Sequence, residues 1–307
     1  MEQYPKTLME FESQFKSEGD CIDYLVQMRW PQGFVCPVCE SRKAWRTDRR
    51  LFHCAACGHQ VSVTAGTIFQ GTRKPLQMWF RAMWWVTSQK NGASAKGLQQ
   101  SLGLGSYQTA WAWLHKLRRA MVRPGRDRLS GLVEVDETYV GGPEKRPGRG
   151  AETKALVVIA VERRGRALGR TRMAVVGEPT RDELCGFVES CVAPGSTVRT
   201  DGWQSYRTLK NRGYTHERVL QQRSSEDPCE LLPGVHRLAS LLKRWLLGTH
   251  HGAVSRAHLP YYLDELTFRF SRRKSKARGK LFFRLVEQAL HIDPTPYKTL
   301  VKPNHNM

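Results

Sequence analysis

The chain has 307 residues, 49 of them lysine or arginine against 28 aspartate or glutamate, giving a formal charge of +21 and a sequence pI of about 10.0. With 40% hydrophobic residues it can bury a real core, which excludes a wholly disordered chain, and the charge excess points to a polyanion as partner. The longest purely apolar run, Ala155 to Val161, is about a third of a membrane span, and the first residues lack the basic and apolar regions of a signal peptide. A soluble, cytoplasmic protein with no membrane association is expected.

Eight cysteines would suggest a disulfide framework in a small exported domain. Here four of them form two CxxC pairs, Cys36-Pro-Val-Cys39 and Cys54-Ala-Ala-Cys57, with 14 residues between Cys39 and Cys54. Two turns that each present two thiolates, joined by a hairpin, give Zn²⁺ the four soft tetrahedral ligands it prefers. Gly58 after the second pair, with strand-like Leu51–His53 and Gln60–Val63, predicts a structural zinc ribbon. Cys21, Cys185, Cys191 and Cys229 are scattered and read as small apolar residues. Arg42, Lys43, Arg46, Arg49 and Arg50 favour contact between the ribbon and DNA.

Next along the chain, Gly92 to Gly103 reads as a short helix ending in glycine, and Ser106 can cap a second helix from Tyr107 to Val122. Two helices joined by a tight glycine-bearing turn predict a helix-turn-helix segment, with Trp111, Leu114, Leu117 and Met121 at core spacing. Lys116, Arg118 and Arg119 on the second helix are the expected phosphate contacts.

From Leu132 to about Gln222, β-branched runs alternate with glycine turns. Leu132–Asp136, Lys154–Val161 and Arg170–Val176 predict three early antiparallel strands with a turn at Arg163-Arg164-Gly165; Gly141 to Gly150 is a surface loop between the first two. Thr180 caps a predicted helix from Arg181 through Cys191, and Ser196–Thr200 is a short strand running into Asp201. Asp136 and Asp201 both end apolar strands. An acidic residue there is costly unless it meets a cation or a partner, and two of them in a basic protein suggest a divalent-metal site for phosphoryl transfer.

The blocks EVDETYVGG, RTDGWQSY, SLLKRWLLGTHHGAVS, HLPYYLDELTFRFSRR and RGKLFFRL, with the preceding ribbon and GASAKGLQQSLGLGSYQTAWAWLHKLRRAM, resemble the ISXO-type transposases of bacterial insertion sequences over residues 20 to 290. The resemblance implies an α/β fold of the ribonuclease-H-like (retroviral-integrase-like) kind and membership of the DDE superfamily. It implies this domain order: an N-terminal helix and zinc ribbon over residues 1–70, the helix-turn-helix segment over 71–128, the catalytic domain over 129–290 and a tail over 291–307. It places Asp136 and Asp201 as the first two catalytic carboxylates. The third ligand lies on a helix preceding LLKR, where this chain has His236 in place of an acidic residue or asparagine. His236 is seven residues before Lys243, about two helical turns, which suits a metal ligand followed by a phosphate-gripping lysine. Neutral imidazole is a softer ligand than Mg²⁺ prefers, and Glu230, or Glu226 and Asp227, is the other source of a carboxylate. Ser271 also departs from the asparagine of many relatives.

The activity implied is two-metal cleavage and joining of DNA with Mg²⁺ or Mn²⁺, one ion held by Asp136 and Asp201 and a second between Asp136 and His236. The enzyme would bind transposon ends in double-stranded DNA, cut them and join the 3′ ends to target DNA, as a nucleoid-associated homo-oligomer. The alternatives are a catalytically inactive DNA-binding regulator and a nuclease without strand transfer. Phe268 to Arg284 holds eight basic residues, Arg272 and Arg273 among them, and no acidic one; it reads, with Lys243 and Arg244, as a phosphate-tracking surface. His250, His251 and His258 read as helix-end residues rather than a metal site.

Overall fold

The computed structural model describes residues 3–123, 125–141, 154–219, 231–252 and 254–302, and its chain divides into two compact units, Met1–Arg123 with Ser275–Asn304, and Pro124–Lys274. No helix among the described residues is long and apolar enough to cross a membrane.

In the first unit, α1 (Leu8–Gln14) begins at Thr7, whose hydroxyl accepts from the Glu10 N–H, and α2 (Glu18–Arg29) begins in a capping box between Ser17 and Asp20. The ribbon follows as three short antiparallel strands, β1 (Ala44–Arg46), β2 (Phe52–Cys54) and β3 (Gln60–Val61). Phe34 and Phe52 stack 5.1 Å apart beneath it, with Trp30 edge-on to both. Next comes α3 (Leu76–Ser88), which buries Trp79, Phe80, Met83 and Trp84. The first helix of the helix-turn-helix pair, α4 (Ala95–Leu102), starts three residues later than the sequence suggests. Gly92 is a turn residue at φ +86°, and the Ser94 hydroxyl caps the helix by accepting from the Gly97 N–H. Gly103, left-handed at φ +60°, ends it, and α5 (Tyr107–Ala120) runs back with Trp113 stacked 3.9 Å from Trp79.

The second unit is a five-stranded sheet in the order β6-β5-β4-β7-β8, formed by β4 (Leu132–Val140), β5 (Ala155–Arg164), β6 (Ala167–Val176), β7 (Thr197–Thr200) and β8 (Thr215–Arg218). The first three strands are antiparallel, while β7 lies parallel to β4 and β8 parallel to β7. That order and those directions are the ribonuclease-H-like arrangement expected. β5 is buried along Ala155–Glu162 because both faces of the sheet are covered, which is why its sequence is an unbroken apolar run. One face packs Val133, Val135, Val158 and Ala160 against α6 (Arg181–Cys191) and Tyr206 of a 3-10 helix, Gln204–Arg212. The other packs Val157, Ile159 and Val161 against α7 (Pro233–His250) and α8 (Leu259–Ser271).

The last stretch departs from the expected domain boundary at 290. Helix α9 (Arg278–Ala289) and α10 (Tyr297–Val301) belong to the first unit, because Leu281, Phe282, Leu285, Val286 and Ala289 form one buried stripe. Phe282 meets Phe11, Phe15, Phe80 and Trp84 with centroids 5.4 to 5.8 Å apart. Gly279 lies so close to the Pro5 carbonyl that no Cβ could be placed there without moving the backbone.

Phe282→Ala is expected to cost about 3–5 kcal/mol, as for other buried aromatics. Hydrogen exchange should then rise in α3 and α9 while β4 and β5 keep their protection. Uniform loosening of both units would contradict this assignment.

Candidate metal centre and basic surfaces

Strand β4 sits mid-sheet and alternates its side chains, so Val133 and Val135 enter the core under α6 while Glu134 and Asp136 face the α7 side. β7 pairs with β4 from Leu132↔Thr197 to Glu134↔Arg199, and continuing that register two residues sets Asp201 beside Asp136. The chain turns sharply after Asp201, whose Oδ1 accepts from the Trp203 N–H at 2.9 Å. His236, in the first turn of α7, brings its Nε2 to 3.9 Å from Asp136 Oδ2. That separation is too long for a hydrogen bond and leaves the donors open to a shared partner.

Burial pushes the Asp136 carboxyl above its ordinary range; the Asp201 charge adds to this, while the Glu137 N–H and His236 pull it down. Two converging carboxylates and an imidazole in a half-buried position form a donor set that a divalent cation would satisfy, since its charge offsets both the desolvation and the repulsion. By residue type, two carboxylates and an imidazole are donors that such an ion accepts. The oxygen ligands suit Mg²⁺ or Mn²⁺, and the imidazole favours Mn²⁺ of the two.

Two neighbours of Asp136 were not singled out from the sequence. Glu134, fully buried, accepts from the Gly234 and Val235 N–H groups at 2.7 and 3.1 Å. Glu137 accepts a short hydrogen bond from the hydroxyl of the fully buried Tyr206. Its carboxyl is pushed up to about 7, chiefly by burial and further by Asp136 and Asp201, with the Tyr206 hydroxyl acting in the opposite sense. The signal was available: VEVDET places acids two before and one after Asp136 in a strand of buried apolar residues, where each must find a partner. The alternative carboxylates Glu226, Asp227 and Glu230 lie outside the described residues, as do Cys229 and the loop from 142 to 150.

Cys36, Cys39, Cys54 and Cys57 gather their sulfurs within 4.8 Å of one another, and among the described residues this is the one group of three or more such side chains whose ligand atoms already stand close enough together to share a metal ion. The Cys36–Cys57 and Cys39–Cys54 sulfurs are 3.7 and 3.5 Å apart. Thiolates at about 2.3 Å from a tetrahedral Zn²⁺ would be separated by about 3.8 Å, so the four fit that ion closely. Cys21, Cys185 and Cys191 are buried, free and apart, as expected of small apolar residues.

The basic residues divide sharply by environment. Arg118 is 1% exposed and its guanidinium donates to the Ala93 carbonyl, so it supports the entry to α4 and is not a surface contact as expected. Lys116 and Arg119 are half-buried, whereas the start of α5 offers Tyr107 and Gln108 to solvent. Arg273 spends its guanidinium on the carbonyls of Leu168, Gly169 and Phe270, and Arg272 lies 4.2 Å over the Phe268 ring. Phe268, Phe270 and Phe282 are buried core residues and not a stacking platform, while Phe283 is half-buried with the Arg284 guanidinium over its ring. Lys243, Arg244, Lys274, Lys276 and Lys280 are exposed. Ser271 accepts from the Thr171 N–H at 3.3 Å, tying the end of α8 to β6. His250 closes the last turn of α7, His251 caps it in the left-handed region, and His258 caps α8.

The model of the ISXO2-like transposase domain matches residues 128–271, and that of the transposase zinc-ribbon domain matches residues 16–60. A Halobacterium salinarum protein described as an uncharacterized protein in transposable element ISH50 is 28% identical, the match covering 83% of this chain and 91% of that protein. Among solved structures, a simian T-cell lymphotropic virus intasome in complex with PP2A regulatory subunit B56 gamma aligns at a TM-score of 0.31 and 14% identity, covering 66% of this chain and 73% of that one. The Mos1 strand transfer complex aligns at 0.28 and 15%, covering 69% and 75%.

The raised Glu137 carboxyl sets a pH dependence of stability. An acid that holds its proton more tightly folded than unfolded loses its stabilising contribution as pH rises from 4.5 through about 7. At about 1.4 kcal/mol per pH unit, the loss is roughly 3 kcal/mol. Glu137→Gln, which cannot ionise, should therefore gain about 2–3 kcal/mol on wild type between pH 5 and pH 8 in Mg²⁺-free buffer, measured by urea unfolding. Parallel stability curves for the two proteins would contradict this.

Proposed function

We propose that the chain, which matches an ISXO2-like transposase domain and a transposase zinc ribbon, is a transposase that binds the ends of its element, cleaves them and joins the 3′ ends to target DNA. The observation that carries this reading is the placement of Asp136 and Asp201 on neighbouring parallel strands with His236 facing them from α7. When bound there, divalent cations would activate the attacking hydroxyl and offset charge on the phosphate. Asp136, Asp201 and His236 are the ligands. Lys243, on the same side of α7 as His236 and about 10 Å further along its axis, grips a phosphate flanking the scissile one.

The exposed Lys243, Arg244 and Lys274 of the second unit, and Lys276 and Lys280 of the first, supply the sequence-independent attraction that a phosphate backbone requires. In the helix-turn-helix segment, the N-terminal residues of a recognition helix commonly reach base edges, and here those are the exposed Tyr107 and Gln108. Lys116 and Arg119 contact phosphates from its flank. Two element ends must be processed together, so the working form is a homo-oligomer. The ribbon's four thiolates hold a structural Zn²⁺.

Cleavage of labelled end DNA tests the reading. Wild type should cut with Mn²⁺ or Mg²⁺, and Asp136→Asn should bind the same DNA but cut on the order of 10³-fold more slowly, the loss of several kcal/mol of charge stabilisation. Cut ends that never appear joined to target DNA would indicate a nuclease without strand transfer. Binding without cutting under either metal would indicate a regulator that has lost catalysis, for which His236 is the place to look.

His236→Asp replaces imidazole with a harder oxygen ligand, so the ratio of Mg²⁺-supported to Mn²⁺-supported cleavage should rise at least several-fold. An unchanged ratio would remove His236 from the metal centre.

A further inference from the structure

Helix α7 begins without a cap of its own. Leu232 precedes it with no side-chain acceptor, Pro233 has no N–H, and the His236 N–H is the first to reach an intrahelical carbonyl, that of Leu232, at 3.2 Å. The two first-turn donors between them, on Gly234 and Val235, both go to one oxygen of Glu134, which is 100 residues earlier and at the centre of the sheet. The other oxygen of Glu134 faces Arg163 Nη1 at 3.3 Å. The carboxylate is 0% exposed, and among the described residues its negative charge is met by the helix N-terminus and by that guanidinium.

The contact is also sterically specified. A Cβ on Gly234 would stand 2.6 Å from Glu134 Oε2, 2.9 Å from Leu168 Cδ2 and 3.2 Å from Val161 Cγ1. Only glycine lets the helix backbone come this near to β4. Glu134 and Asp136 are alternate residues on one face of that strand, about 6.6 Å apart along it, and Gly234 and His236 are alternate residues at the start of the helix. One strand and one helix are therefore joined two residues away from the point at which His236 meets Asp136.

We propose that Glu134, with Gly234 and Arg163, is a positioning device for the metal centre: it sets the height and rotation of α7 so that His236 stands over Asp136. Glu134 does not itself ligate the ion. It holds a ligand whose helix it meets at Gly234, 100 residues further along the chain, and fixes where that helix starts. This inference rests on the reading of Asp136, Asp201 and His236 as a metal centre.

The test uses the full-length protein and Mn²⁺ alone as probe, with bound Mn²⁺ followed by electron paramagnetic resonance and end-DNA cleavage measured in parallel. Asp136→Asn identifies the signal of this site. Glu134→Ala should weaken Mn²⁺ binding by ~10-fold or more, the effect expected when support behind a ligand is lost, with end-DNA affinity unchanged. Glu134→Gln, which keeps an acceptor oxygen for the two N–H groups, should recover most of that loss. If Glu134→Ala does not fold, Gly234→Ala, which pushes the helix start away while leaving the carboxylate in place, should show the same weakening.

The decisive arm repeats these substitutions in a His236→Ala background. A residue that acts through His236 should there have no further effect on Mn²⁺ affinity, whereas a merely structural residue should weaken binding by the same factor in both backgrounds, and that result would overturn the proposal. Absence of a Mn²⁺ signal removable by Asp136→Asn would overturn it too. Wild type that binds Mn²⁺ with this Glu134 dependence yet never cuts DNA would leave the positioning role standing and refute only the catalytic function.

Discussion

Three acidic side chains, Glu134, Asp136 and Glu137, share the central strand of a sheet covered on both faces, and the catalytic unit is organised by what each of them meets. Glu134 is shut off from water and the other two are half-buried, so each gains from donors or opposite charge supplied by another element. Glu134 takes the first two free N–H groups of α7, and Glu137 takes the hydroxyl of Tyr206 in the 3-10 helix that follows Asp201. Asp136, between them, is paired with no cation of full charge and looks toward Asp201 and His236. Glu134 and Glu137 thus join β4 to α7 and to the 3-10 helix that follows Asp201, and the proposed cation site lies between those two contacts.

The first unit solves a different problem. Its ribbon is too small to bury a core, with little more than Phe34, Cys36, Cys54 and Val61 enclosed, so four thiolates converging on one point take over the role of packing. Its helices are held by an aromatic cluster, and the contribution of Phe282 from near the end of the chain closes that cluster. This is why the unit is assembled from both ends of the sequence, with the sheet domain inserted between them.

A charge of +21 does not distribute evenly by function. Arg118, Arg163 and Arg273 are committed to carbonyls or to a buried carboxylate, where a fork of donors at fixed geometry is the useful property. The lysines at 243, 274, 276 and 280 remain exposed, which suits a flexible point charge tracking a phosphate backbone. The transposase reading therefore leans on surface lysines and on the start of α5 more than on the arginines that the sequence first suggests.

Much of this was legible in the sequence. Two CxxC pairs 14 residues apart determine a tetrahedral thiolate site because spacing alone brings the ligands together, and the β-branched runs and turn glycines determine β4, β5, β6 and their hairpin because those signals are local. Asp136 and Asp201 could be singled out because an acid beside an apolar strand run is anomalous by itself, although β4 continues past Asp136 to Val140 instead of ending there. What tertiary structure decided was every property that depends on residues far apart in the chain. Arg118 carries the same charge as Lys116, but packing buries Arg118 against the Ala93 carbonyl and leaves Lys116 half-exposed. Phe282 follows a basic stretch, and only its packing on α3 moves its helix out of the catalytic unit. Glu134 and Gly234 stand 100 residues apart, and no local pattern pairs them; a buried carboxylate and an uncapped helix start find each other because neither can be left without a partner away from water.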